Sequence, residues 1–285
     1  MDSMMDSMIE AINNRVSVRT YTDQPIEAEK KRRIIDLLHS SHKGPFGHGV
    51  RFDLVDFSEM ERSEIKTLGT YGFIRGANSF IVGAIKEDVG AMEDLGYCFE
   101  RVILVATSLG LGTCWMGGTF KRANFAKRIN VSDDEVVPAI SPIGYAHDKR
   151  TVRERVLRRF AGSDQRKPWE QLFLDGDMNT PLARDSAGKY ALVLDCVRLG
   201  PSASNNQPWR IVKQKDRAAF HFYLKRTRGY DKLLRGIDLQ RVDMGIAMCH
   251  FELTARETSL TGRWVVAKPD LDVGNAEYIL SWTES

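Results

Sequence analysis

The chain has 285 residues, 42% hydrophobic and 28% charged, with 41 Lys and Arg against 38 Asp and Glu for a net charge of +3. This is ordinary globular composition, long enough for one large or two ordinary domains with a proper core. So balanced a charge argues against nucleic acid as the main partner, and no run approaches the ~18 apolar residues that a membrane span needs.

The N-terminal MDSMMDSMIEAI is acidic and lacks a basic n-region, so no secretory signal is expected and the chain is read as cytoplasmic. A short helix is predicted over 9–14, followed by RVSVR, where Arg15, Ser17 and Arg19 alternate. In an extended segment the three side chains point the same way. Two guanidiniums and a hydroxyl on one face suit a phosphate dianion through bidentate, charge-assisted bonds, although a solvated strand edge explains the same pattern. A second helix is expected with Thr22 or Asp23 as cap, Pro25 near its first turn, and Ile26, Ile34, Ile35, Leu37 and Leu38 on its buried side. Apolar strands follow at 51–57 and 79–85.

The stretch 94–115, DLGYCFERVILVATSLGLGTCW, is the centre of the first half. Asp94 is read as N-cap, with Gly110 and Gly112 as the stop signal, giving a helix over 94–109. Its polar residues Glu100, Arg101, Thr107 and Ser108 occupy one narrow sector, and apolar side chains cover the rest, so the helix should be buried. Its exit, LGTCWMGGTF, carries Gly117 and Gly118, where backbone amides can approach a ligand closely. A basic linker leads to a second apolar helical run, YALVLDCVRL. The turn GPSASNNQPW comes next, dense in amides and hydroxyls, then strands at 209–214 and 220–225.

The central element occurs twice. Setting Asp94 against Asp243 without a gap pairs six identities in twenty-two positions: Asp94/Asp243, Gly96/Gly245, Leu104/Leu253, Ala106/Ala255, Leu111/Leu260 and Trp115/Trp264. Chance gives roughly one or two. Similar strands precede each copy, so the chain reads as a duplicated domain with a second central helix over 243–258.

Four cysteines form no CxxC pair, and six histidines fall in no metal-binding spacing. Reduced buried thiols are expected, with no disulfide and no metal site. No nucleophile or general-base constellation stands out, and no Rossmann GxGxxG is present.

RVSVR, GLGTCWMGG and PSASNNQPW together resemble the nitroreductase family of FMN-dependent oxidoreductases, in the branch called putative TM nitroreductases. The resemblance covers nearly the whole chain. It implies an α+β sandwich fold that normally works as a homodimer with FMN at the interface. The Arg-Ser-Arg anchor then comes from one subunit and the Pro-Ser-Asn turn from the other. Here the first half keeps the anchor but reads SSHKGPFGHGVRF where the turn belongs, and the second half keeps the turn without an RxSxR. The expectation is two related halves, 1–160 and 161–285, forming an intrachain pseudo-dimer that is complete as a monomer.

By the same resemblance, Arg15, Ser17, Arg19 and Arg166 would hold the phosphate and ribityl, with Lys167 the second choice to Arg166. Pro201, Ser202 and Asn205 would contact the flavin from the other half, and Gly117 and Gly118 would approach its N5 edge. NADH or NADPH would deliver hydride, leave, and make way for a small-molecule electron acceptor such as a nitroaromatic or quinone, with catalysis borne by the flavin. Two other readings stay open, a flavin-binding module without turnover and an interaction scaffold that has lost FMN.

Overall fold

A computed structural model describes residues 7–58, 72–147, 165–227 and 237–285. The first half runs α1 (Met8–Asn14), α2 (Ala28–Leu38), β1 (His42–Lys43), β2 (Gly49–Asp56), β3 (Ser79–Lys86), α3 (Ala91–Ser108), β4 (Gly112–Thr113), α4 (Arg122–Arg128), β5 (Glu135–Val136) and β6 (Ile140–Gly144). The second runs α5 (Trp169–Leu172), β7 (Phe173–Asp175), α6 (Ala191–Leu199), β8 (Trp209–Lys213), β9 (Ala219–Leu224), α7 (Leu239–Glu257), β10 (Gly262–Val265) and β11 (Glu277–Glu284).

β3 is apolar at consecutive positions, and both its faces are covered. Ile81 and Ile85 pack towards the helices, while Phe80, Val82 and Ala84 join Phe57, Phe120 and Phe125 beneath the sheet. Four strands of each half share one order and one sense. β2-β3-β6-β4 matches β8-β9-β11-β10, every neighbour antiparallel. The remaining strands differ: β1 joins β2 antiparallel and β5 pairs with β3 in the first sheet, whereas β7 joins β8 parallel in the second.

The sheets flank α3 and α7, which touch backbone to backbone. A Cβ on Gly96 would lie 2.1 Å from the Val242 carbonyl oxygen, and one on Gly245 would lie 1.9 Å from that of Glu93. In the alignment that pairs Asp94 with Asp243, Gly96 matches Gly245 and Glu93 matches Val242. The contact is therefore reciprocal, as at a twofold interface. One apolar core runs through both halves, from Leu95 and Phe99 to Met248 and Phe251. The expected α+β architecture of two related halves is present. The expected boundary at 160/161 lies outside the described residues.

Several local expectations need correction. α3 begins at Ala91, and Gly90, left-handed at φ 87°, holds the cap position assigned to Asp94. α7 begins four residues before Asp243, and Asp238 caps it by accepting the Gln240 and Arg241 amides. Both aspartates point their carboxylates at loops instead. α2 starts at Ala28 without a side-chain cap, so neither Thr22 nor Asp23 serves it. Glu100, in the polar sector of α3, is fully buried. All four cysteines are free and buried, and burial pushes the Cys98 thiol up to about 12.

Candidate functional site

Beyond α1 the chain becomes extended and joins the first sheet. The Val18 N–H donates to the Thr113 carbonyl at 2.8 Å and the Arg75 N–H to that of Arg19 at 2.9 Å. Val18 turns inward, where Gly112 leaves room for it: a Cβ there would sit 2.7 Å from Val18 Cγ2. The alternation then carries Arg15, Ser17 and Arg19 together into the wall of a cavity of about 530 Å³.

The facing wall is the loop after α6. Ser204, Asn205 and Gln207 all take positive φ, at 50°, 55° and 45°. Such a conformation costs about 1–3 kcal/mol per non-glycine residue and persists only where surroundings impose it. Here they do. The Ala203 N–H donates to Asp243 Oδ1 at 2.9 Å and the Gln207 N–H to Ser202 Oγ at 2.9 Å. Asn205 accepts from Arg166 Nη1 at 2.8 Å and donates to the Gln165 carbonyl at 2.7 Å. The Lys167 N–H donates to Gln207 Oε1 at 2.8 Å.

Arg166 also donates to the Leu199 and Gly200 carbonyls, at 2.9 and 3.1 Å, closing the C-terminus of α6. Its guanidinium thus organises the loop from within the cavity wall. Lys167 does not line the cavity, and burial beside Arg210 and Lys225 lowers its ammonium to about 8.

The strand exit at 114–119 and one face of α7 complete the cavity. Gly117 is there partly for packing, since a Cβ would lie 2.5 Å from Leu239 Cδ1. All nine residues named from the sequence, Arg15, Ser17, Arg19, Gly117, Gly118, Arg166, Pro201, Ser202 and Asn205, line this one cavity. Sequence reasoning missed Asp243 and Ile246 on α7, which line it too. The repeat had marked Asp243, but only as the counterpart of Asp94 at the start of the second central helix.

Two donors in the wall have no partner among the described residues, Nη1 of Arg15 and Nη1 of Arg19, both buried. Arg15 is steadied from behind. Its Nε lies 3.7 Å from Glu100 Oε1, which also meets His250 Nε2 at 2.9 Å, while Glu100 Oε2 accepts the Trp115 indole at 2.6 Å. This network joins the N-terminal segment to both central helices.

The sequence profile of the family described as Putative TM nitroreductase matches residues 7–255. The chain belongs to that family. A structure similar to it over its length is a putative nitroreductase from Thermotoga maritima, with TM-score 0.60 and 20% identity, covering 99% of this chain and 95% of that one. At that identity the likeness shows the nitroreductase fold. An FMN-dependent nitroreductase from Clostridium difficile aligns at 21% identity and TM-score 0.40, over 50% of this chain and 90% of its own. A putative NADH dehydrogenase/NAD(P)H nitroreductase from Parabacteroides distasonis aligns at 23% and 0.40, over 50% and 89%. No curated protein matches the sequence. Among the described residues no helix is long and apolar enough to cross a membrane, and no His, Cys, Asp or Glu cluster is arranged to hold a metal.

Proposed function

We propose that this nitroreductase-family chain is an FMN-dependent oxidoreductase, reduced by NADH or NADPH and passing electrons to a small-molecule acceptor such as a nitroaromatic or quinone. The observation that carries the reading is the pair of guanidinium nitrogens of Arg15 and Arg19 in one cavity wall that have no partner among the described residues. Buried donors without acceptors are costly, and an anion relieves both. The residues present fit the cofactor. Arg15, Ser17 and Arg19 would hold its phosphate, and Pro201, Ser202 and Asn205 would bound it from the other half. Leu239, Val242 and Ile246 supply an apolar wall that excludes water.

Arg166 and Lys167 act one step back, by holding the loop that carries Asn205 and Gln207. When bound, the flavin would supply the hydride chemistry, so no side chain is required as nucleophile or general base. The same reading makes the halves 1–160 and 161–285 one functional unit, complete as a monomer in the cytoplasm.

The test is spectroscopic. The purified protein loaded with FMN should remain yellow after gel filtration, bleach anaerobically with NADH or NADPH, and regain colour with a quinone or nitroaromatic. Failure to retain FMN overturns the proposal. Retained FMN that resists excess reductant makes the chain a flavin-binding module instead.

A further inference from the structure

The described cavity wall contains a single carboxyl, that of Asp243. It sits on a face of α7 with Leu239, Val242 and Ile246, a spacing that puts all four on the same side of the helix. Oδ1 accepts the Ala203 amide, and Oδ2 is buried with no partner among the described residues.

The duplication supplies an internal control. Asp94, at the matching place on α3, grips the matching loop in the same manner, its Oδ1 accepting the Phe46 amide at 2.9 Å. Its Oδ2, however, is fully used, accepting the His48 amide at 2.8 Å and meeting the His48 imidazole Nδ1 at 3.0 Å. The two aspartates share a position and a structural bond. They differ in one oxygen, left open only on the side of the cavity.

We propose that Asp243 is a ligand-binding residue, which holds Ala203 through Oδ1 and donates a hydrogen bond through Oδ2–H to an acceptor atom of the group in the cavity. The proposal rests on the FMN reading, whose ring system carries carbonyl and imine acceptors. Donation requires the neutral acid, and the surroundings favour it. No ion pair holds Asp243 among the described residues. Burial pushes its carboxyl well above the ordinary carboxylate range, the Ala203 amide opposing and the Asp238 carboxylate adding to the effect.

The other ionisable groups around it are few. Arg15, Arg19, Arg166 and Cys114 share the cavity wall, and Glu93 and Tyr97 belong to the helix packed against α7. The loop at 201–205 brings none.

FMN affinity, followed by quenching of flavin fluorescence across about pH 6 to 9, tests the idea on the full-length chain. Asp243→Asn keeps an oxygen for Ala203 and places an N–H donor where Oδ2 stood. At the acid end its Kd should lie within about twofold of wild type. Towards the alkaline end wild type should weaken about tenfold relative to Asn as the donor proton is lost. Taking the ratio cancels ionisation of the FMN phosphate. A purely structural aspartate predicts the opposite sign, because an ionised carboxylate holds the Ala203 amide more strongly. An inverted ratio therefore overturns the proposal, as does a flat ratio joined to an unshifted carboxyl band in the second readout.

A second readout needs no variant. The carbonyl stretch of a protonated carboxyl, seen by infrared difference spectroscopy on wild type, should shift to lower frequency when FMN binds, and an unshifted band overturns the proposal. Wild type that binds no FMN at any pH overturns the cofactor reading as well. Wild type that binds FMN, with a flat ratio and an unshifted band, removes Asp243 alone.

Discussion

Arg19 and Arg15 share a wall but not a support. Glu100 lies behind Arg15, whereas Arg19 has no ion pair among the described residues and leaves Nη1 bare. Arg19→Ala should therefore cost little in folding and much in binding. FMN affinity should fall roughly ten- to a hundredfold, about 1.5–3 kcal/mol for a charge-assisted bond, with the melting temperature of the FMN-free chain nearly unchanged. Fluorescence titration beside thermal unfolding checks both, and an unchanged Kd removes Arg19 from the site. These side chains were legible because alternation in an extended segment is a local property. The partners of Arg166 were not. Its bonds to Leu199, Gly200 and Asn205 span more than thirty residues and depend on how the chain returns to the end of α6. Asp243 was missed for a related reason. It was placed at the first position of the second helix, whereas the helix starts at Leu239 behind the Asp238 cap, and its face meets a loop forty residues away in sequence.

At the scale of the element, α3 and α7 are fixed by two glycines with no alternative. Gly96→Ala or Gly245→Ala would drive a methyl into the backbone of the opposite helix, where no side chain can swing aside. Either should destabilise by about 3 kcal/mol or more, the upper part of the range for overpacking, and lower the melting temperature by ~6–12 °C. Gly49→Ala meets nothing within 4 Å and serves as the control. A thermal scan showing Gly96→Ala no worse than Gly49→Ala would contradict the packing. Sequence reasoning found both helices and aligned these glycines. What it lacked was their closeness, because a shared Gly in two copies does not say that the copies touch there. Strands were the easier elements, since β2, β3, β8 and β9 each fall within a residue or two of the expected apolar runs.

For the whole molecule, the apolar core shared by both halves argues that neither half is a free-standing unit. The cavity likewise draws Arg15 to Arg19 from one end of the chain and Pro201 to Asn205 from the other half. Sedimentation at dilution should therefore find FMN travelling with a monomer. A dimer that releases FMN as it dissociates would place the second wall on another chain. The two-half organisation was legible because the repeat preserved spacing without gaps; the asymmetry between the loops was legible only as missing motifs. The structure shows what stands in their place. Asp94 holds residues 46–48 with bonds from two amides and an imidazole, and Asp243 holds Ala203 with one. In an assembly of identical subunits a single codon change reaches both such loops at once, so whatever one gives up the other loses too. Here each grip has its own codons. The loop at 44–48 can be rewritten while 201–207 is inherited intact, and the chain can carry a left and a right that no pair of identical subunits could keep apart.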